Sequence, residues 1–253
     1  CNAVGIGPQY TGADMEFACK AGTAALLAAL GLVQSKQISH GLAIGADTAE
    51  YWTNKFGDHF CGAGAAAYIL STEKQGAIAE IEGTASFSTD TPDFWRRANQ
   101  RYPIHAERFT GEPAYLRHTV SATKLLFEKT GYTASDINHA VFHTPNGKFP
   151  YKAGKVLGLQ KQQLTKGIVV EEIANTYSAA TLIGLANVLD SAQPGERILL
   201  TSYGSGAGSD AFIFKVCEGI QEKRNHAPLV RNYLTKKAMI DYTTYCKYTR
   251  RYA

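Results

Sequence analysis

The 253-residue chain has no long hydrophobic run, no closely paired cysteines and no large excess of charge. Its most apolar stretch, Ala24 to Val33, falls well short of the about 20 residues that cross a bilayer. It also lacks a basic leader, so neither a membrane span nor a signal peptide is expected. The cysteines Cys1, Cys19, Cys61, Cys217 and Cys246 are odd in number, and none stands in CxxC spacing. That argues against a disulfide framework and a zinc site, and makes the reducing cytoplasm the predicted compartment. A net charge of +4, spread along the chain, gives no footprint for nucleic acid. Ordinary glycine and proline contents exclude collagen-like and low-complexity classes. No period of twenty to fifty residues repeats, which excludes solenoids and propellers. No Gly-x-Ser-x-Gly elbow, Walker loop or His-Glu-x-x-His motif occurs.

What is present is apolar enough to fold. At 45% hydrophobic and 19% charged residues, the chain can bury one large core or two small ones. The pattern predicts a buried, Ala-rich helix over Met15 to Leu32 and a strand over Gly41 to Ala46. Strands at Ala63 to Ser71 and Ala77 to Glu82 flank a turn at Lys74 to Gly76. Thr89 to Arg108 reads as an irregular connection. An amphipathic helix follows over Pro113 to Lys129, then a strand at His139 to Phe142 and a short helix at Tyr151 to Leu157. A second buried helix spans Asn175 to Leu189, and strands at Arg197 to Ser202 and Asp210 to Val216 flank a glycine loop. Strands alternating with helices predict an α/β fold with a mixed sheet. A weak internal symmetry runs through it: helix, strand, small-residue loop and strand, once over Cys19 to Leu70 and again over Asn175 to Phe214. The chain begins at Cys1 without a Met, which reads as a piece of something longer.

Several side chains have chemistry to offer. Cys19 opens the first buried helix in EFACKAGT, where the helix dipole and the neighbouring Lys20 favour thiolate. An inert buried cysteine is the plain alternative, and position alone does not separate the two. His143 closes a strand in HTPNGK, at the carboxyl end where α/β folds place ligands. A satisfied loop histidine is the alternative. Lys148, Lys152 and Lys155 follow, as a clamp for an anionic ligand or as an ordinary basic helix face. Asn175 in ANTYSAAT is an N-cap or an oxyanion donor. The loop from Gly204 to Gly208, carrying Ser205, lies between two strands. It is therefore no dinucleotide fingerprint; it is either a close approach to a thioester or a tight hairpin.

The ordered set EFACKAGT, GAGAAAYIL, HTPNGK, ANTYSAAT and SYGSGAG resembles the thiolase superfamily, and more closely the archaeal-type 3-hydroxy-3-methylglutaryl-CoA synthases. The resemblance covers essentially the whole chain, including the basic Tyr-rich tail after Lys223. It implies a five-layered αβαβα fold of two related halves working as a homodimer. The halves would divide as 1–110, which carries the nucleophile and has its front truncated, and 111–253. It implies that acetyl-CoA acylates Cys19, and that the acetyl-enzyme, once deprotonated, attacks acetoacetyl-CoA. Hydrolysis would then release 3-hydroxy-3-methylglutaryl-CoA for isoprenoid synthesis. His143 would act on the acetoacetyl ketone oxygen, and Asn175 and Ser205 would line the acyl pocket. Lys148 would hold CoA phosphate, with Lys152 as a second basic contact and Arg108 and Thr110 in RFTGEPAY as further substrate contacts. No metal and no cofactor beyond the CoA thioesters is implied. Acetoacetyl-CoA thiolase and a zinc-ribbon/OB-fold scaffold protein are the implied partners, with no nucleic acid and no membrane.

The sequence departs from the family at the general base. That residue is a Glu well upstream of the Cys, whereas Asp14 and Glu16 are the only acidic residues before Cys19, and neither matches its position. The alternative readings are a ketoacyl synthase of the third type, a thiolase-like enzyme, and a non-catalytic subunit that binds acyl-CoA or scaffolds a partner. The third-type synthase shares Cys, His and Asn in this order but lacks the lysine found at Lys148.

Overall fold

The computed structural model describes residues 2–49 and 59–249; Cys1 lies outside the described residues. The first unit begins with a 3-10 turn, Ala18–Lys20, that runs into helix α1, Ala21–Gln34. Strands β1, His40–Thr48, and β2, Ala63–Ser71, follow as an antiparallel pair with Gly41 opposite Leu70. The helix begins later than Met15. Met15 and Glu16 stay outside it, and Ala18 has a left-handed backbone (φ 43°).

The second unit repeats that order. A 3-10 turn, Tyr177–Ala179, runs into a buried helix, Ala180–Leu189, and then into the strands Arg197–Thr201 and Gly206–Val216, again antiparallel. The expected internal symmetry is therefore present, down to the left-handed residue, Tyr177 (φ 48°), at the head of the second turn.

Between the two units lie β3, Ala79–Thr91, the short pair β4, Phe94–Trp95, and β5, Ile104–His105, then α2, Leu116–Thr130, and β6, His139–Phe142. Helices α3, Phe149–Leu157, α4, Lys161–Thr165, and α5, Val170–Ile173, lead to the second turn. The second unit's helix is thus α6 and its strands are β7 and β8. Helices α7, Gly219–Lys223, α8, Val230–Thr235, and α9, Tyr242–Tyr248, form the tail.

The four-stranded sheet has the order β3-β8-β7-β6, with β6 and β7 parallel and the other neighbours antiparallel. This corrects two expectations. Ala63–Ser71 and the strand after it do not pair as a hairpin: β2 pairs with β1, while β3 crosses to β8. Sheet membership therefore changes between Ser71 and Ala79. Also, β3 runs on to Thr91, and the β4–β5 pair orders part of the segment read as irregular.

Alternation along the strands builds the layers. In β7, Ile198 and Leu200 join Leu26, Val33, Leu185 and Val188 of α1 and α6 in one core. Leu199, between them, joins Ala122 and Leu126 of α2 and Ala153 of α3 in another. The described residues stack as α2 and α3, the four-stranded sheet, α1 and α6, and then the two-stranded sheet. Fully burying one such leucine stabilises by about 1.5–3 kcal/mol. The inner face of β1–β2 meets α1 through Ala43 and Leu70, while Leu42, Ile44 and Ile69 are exposed on its outer face. Among the described residues, no helix is long and apolar enough to cross a membrane.

Candidate active site

Cys19 is buried in the 3-10 turn ahead of α1, against the turn that opens α6. Helix α1 and the glycines facing it allow this approach. A Cβ on Gly22 would lie 2.4 Å from the Ser178 carbonyl oxygen, and one on Gly45 would lie 2.6 Å from the same atom. The expected thiolate is not what this setting favours. Burial pushes the Cys19 thiol far up, and the carboxylates of Asp47 and Asp93 push it further. Nor does Lys20 offset them as a free cation, because its ammonium is 2.9 Å from Asp210 in a buried ion pair. The resting protein therefore holds Cys19 as a neutral thiol.

His143 follows β6 directly, and its N–H donates to the Thr201 carbonyl (3.0 Å), extending the parallel ladder by one residue. Its imidazole is buried, and Nδ1 has no hydrogen-bond partner among the described residues. Burial lowers its pKa to about 3, so the ring is neutral at pH 7. The Tyr115 hydroxyl donates to the His143 carbonyl (2.8 Å), and the Tyr115 ring stands edge-on to Tyr203, 5.4 Å between centroids.

Tyr203 leads to a carboxylate that the sequence reading missed. Asp93 is fully buried and accepts the Tyr203 hydroxyl at 2.6 Å and the Gly206 N–H at 2.8 Å. Its carbonyl accepts the Thr110 hydroxyl (2.9 Å). Thr110, read as a substrate contact, is thus placed as a buried tie to Asp93. Asp47 was missed too. It closes the inner edge of β1 and accepts the Ser178 N–H at 3.4 Å. The only signal for either residue was an acidic side chain within or beside an apolar strand: GAD for Asp47, TPDFW for Asp93.

Asn175 does not cap α6. Its side chain accepts the Tyr177 N–H (2.8 Å), and its backbone pairs across to Phe60 and Gly62. That pairing sets Cys61 beside Asn175, with the Cys61 sulfur 3.4 Å from the Tyr177 hydroxyl. The glycine loop is mostly strand: Gly204 and Gly208 exchange backbone hydrogen bonds at 2.8 and 2.9 Å in a tight hairpin with Ser205 at its tip. This hairpin packs on the turn that carries Cys19, since a Cβ on Gly204 would meet the Phe17 carbonyl oxygen at 2.3 Å.

The basic residues divide. Arg108 and Lys152 line one cavity of about 440 Å³ together with Glu107, Glu112, Tyr115 and Phe149. Lys152 pairs with Glu112 at 3.5 Å, on the surface. Lys148 precedes α3, and its carbonyl accepts the Lys152 N–H (3.2 Å), so the four-residue spacing is helical as expected. Lys155 instead faces a second cavity, of about 550 Å³, with Tyr151, Leu159 and Lys161. Among the described residues, no cluster of three or more His, Cys, Asp or Glu could hold a metal ion.

With this geometry in place, the likeness to known proteins is specific. The family model for 3-oxoacyl-(acyl-carrier-protein) synthase III matches residues 13–86, and the model for its C-terminal part matches residues 127–216. The hydroxymethylglutaryl-CoA synthase of Thermococcus gammatolerans is 50% identical over 253 residues, 99% of this chain and 71% of its own length. That of Archaeoglobus fulgidus is 49% identical over 249 residues, covering 98% of this chain and 71% of its own. In structure, MvaS in complex with 3-hydroxy-3-methylglutaryl coenzyme A superposes with a TM-score of 0.87 at 21% identity, covering 98% of this chain and 69% of that one. An HMG-CoA synthase complexed with CoA superposes with a TM-score of 0.78 at 24% identity, covering 95% and 69%.

Proposed function

This chain belongs to the hydroxymethylglutaryl-CoA synthase family, and from that premise we propose how its own residues divide the work of joining acetyl-CoA to acetoacetyl-CoA. Cys19 is the nucleophile. Its sulfur attacks the acetyl carbonyl, the thiol proton passes to the departing CoA sulfur, and an acetyl thioester remains on the enzyme. The thiolate is the attacking form, so the thiol gives up its proton as the sulfur attacks, and that proton goes to the departing CoA sulfur. Deprotonating the acetyl methyl then gives the carbon nucleophile that attacks the ketone of acetoacetyl-CoA.

His143 serves the second substrate. A neutral imidazole held by burial offers an N–H to the ketone oxygen as negative charge develops there. Asn175 and Ser205 flank the acyl group. Arg108 and Lys152, gathered in one cavity, together with Lys148 at the start of α3, receive the phosphates of CoA. Water finally cleaves the enzyme thioester and frees 3-hydroxy-3-methylglutaryl-CoA. The upstream Glu of the family has no counterpart in residues 1–18, so no residue of this chain is assigned as the base.

The observation that carries the reading is the convergence on Cys19 of both turns, the glycine hairpin and Asp93. A homodimer in the cytoplasm that works alongside an acetoacetyl-CoA thiolase and a zinc-ribbon/OB-fold scaffold completes the proposal, on the family resemblance. The two halves would divide as 1–110 and 111–253, on the same resemblance. The test is the product. In an enzyme that carries this sequence together with the family's general-base Glu, incubation with acetyl-CoA and acetoacetyl-CoA, followed by mass spectrometry, is expected to yield 3-hydroxy-3-methylglutaryl-CoA. Acetyl exchange onto CoA without that product would overturn the reading.

A further inference from the structure

Lys20 is the residue after the nucleophile, and its side chain runs away from solvent into a built polar site. Its ammonium reaches Asp210 at 2.9 Å, with the two side chains 9% and 2% exposed. The carboxylate is saturated: the Thr23 hydroxyl reaches the same oxygen at 3.0 Å, and the Ser86 hydroxyl reaches the other at 2.8 Å. Thr23 also meets the Ser202 hydroxyl at 2.7 Å. Side chains of α1, β3 and the nucleophile's turn thus converge on one carboxylate of β8, and the Ser202 hydroxyl, just beyond β7, accepts the Asp210 N–H (3.2 Å).

The lysine stem is confined as tightly as its charge. The ammonium sits 4.5 Å from the centre of the Phe17 ring. A Cβ on Gly204 would lie 2.8 Å from Lys20 Cγ, and one on Gly208 would lie 3.0 Å from Lys20 Cε. The stem therefore threads between an aromatic ring and the two glycines of the hairpin, which accounts for glycine at both positions. One residue before Cys19, Ala18 holds a left-handed backbone (φ 43°). A non-glycine residue stays there only where its surroundings over-determine it.

We propose that Lys20 and Asp210 are positioning residues, a buried clamp that fixes the turn carrying Cys19 against the glycine hairpin of the second unit. Neither touches reacting atoms. The clamp rests on the reading of Cys19 as nucleophile, so acetylation of the wild type is measured first and tests that reading by itself. The rate of each variant relative to wild type then tests the clamp.

In the intact protein, Lys20→Met is compared with the double variant Lys20→Met/Asp210→Leu, which replaces the buried pair by apolar side chains. Such replacements commonly restore stability lost in the single change. The readouts are the melting temperature and the kcat and KM for acetylation of Cys19 by acetyl-CoA. The single change should lower kcat by about 10- to 100-fold, the scale of a small misplacement of a reacting group, with little change in KM. The double change should recover the melting temperature while kcat stays low. Recovery of both in the double variant, or a folded single variant at the wild-type rate, would overturn the proposal. If Lys20→Met does not fold, Asp210→Asn removes the charge and keeps the acceptor for Ser86. It should show the same loss of kcat, and a wild-type rate there also overturns the clamp. The pH inflection of Cys19 alkylation by iodoacetamide should not move in Lys20→Met/Asp210→Leu, where both charges of the pair are removed together and only the geometry changes. A shifted inflection would assign the pair to the thiol's proton instead, and overturn it.

Discussion

The two repeated units share their order of elements and differ in burial and in what heads them. In the second, strand β8 is buried along nearly its whole length, between α2 on one side and α1 and α6 on the other. In the first, β1 alternates strictly between exposed and buried residues over His40 to Ala46, and its outward face is open. At the head of the first unit, Cys19 follows a left-handed Ala18; at the head of the second, Ser178 follows a left-handed Tyr177. The same turn thus presents the proposed nucleophile in one copy and a support in the other. Ser178 donates to the Ala46 carbonyl (3.2 Å), and its own carbonyl is where Gly22 and Gly45 pack. On the proposed reading, the repeated unit supplies the scaffold, and cysteine at position 19 against serine at position 178 decides which copy carries the chemistry.

That comparison is sharpest at its two turn residues. Cys19→Ala should lower acetyl transfer by at least about a thousandfold, as removal of a nucleophile does, with the fold intact by circular dichroism. Ser178→Ala should leave transfer within a few-fold. It should cost about 0.5–1.5 kcal/mol in urea unfolding, the worth of one hydrogen bond. Comparable losses of transfer in both variants would erase the distinction between the copies.

The contact between the copies is tested within one helix. In α1, Gly22 faces the Ser178 carbonyl, whereas a Cβ on Gly31 would meet nothing within 4 Å. Gly22→Ala should destabilise by about 1–3 kcal/mol or more through overpacking. Gly31→Ala should stabilise by up to about 1 kcal/mol through helix propensity. Thermal melts of the two variants should move in opposite directions.

The buried histidine gives the second sheet a pH signature. His143 stays neutral in the folded protein down to about pH 3, whereas in the unfolded chain it takes a proton near its ordinary value of about 6.5. Between those limits the unfolded state binds more protons. Stability therefore falls as pH drops from about 6.5 towards 3, by at most about 1.4 kcal/mol per pH unit from this residue. In His143→Gln that contribution should vanish, which urea titrations at pH 4 and 6.5 would show.

The smallest effect on the fold belongs to Lys152. Its pair with Glu112 is more than half exposed, and exposed pairs are worth about 0–1 kcal/mol at most. Lys152→Ala should leave the melting temperature nearly unchanged. It should weaken acetyl-CoA binding about tenfold through the lost charge-assisted contact, and binding of acetyl-pantetheine, which lacks nucleotide phosphates, far less.

Much of this was legible from the residues. The two buried helices, the strand Ala63–Ser71, the strand His139–Phe142 and the repeat of the unit all follow from apolar runs broken by small residues. What was not legible lies in long-range pairing. Nothing local in β3 names its partner strand, and it pairs with β8 rather than with β2. The charge state of Cys19 was misjudged for a related reason: the helix start and Lys20 are visible in sequence, but Asp210 lies 190 residues away and takes the lysine's charge. Asp47 and Asp93 escaped notice because one acidic residue in or beside a strand is ordinary until the fold shows it close enough to a buried cysteine to act on its proton.

The central claim is that the first unit's turn carries the reaction, and acetyl-enzyme trapping tests it most directly. After brief exposure to isotopically labelled acetyl-CoA and acid quenching, peptide mass spectrometry should place one acetyl group on Cys19, absent from Cys19→Ala and unaffected in Ser178→Ala. Label on another residue, or none on Cys19 while 3-hydroxy-3-methylglutaryl-CoA is still formed, would contradict the account.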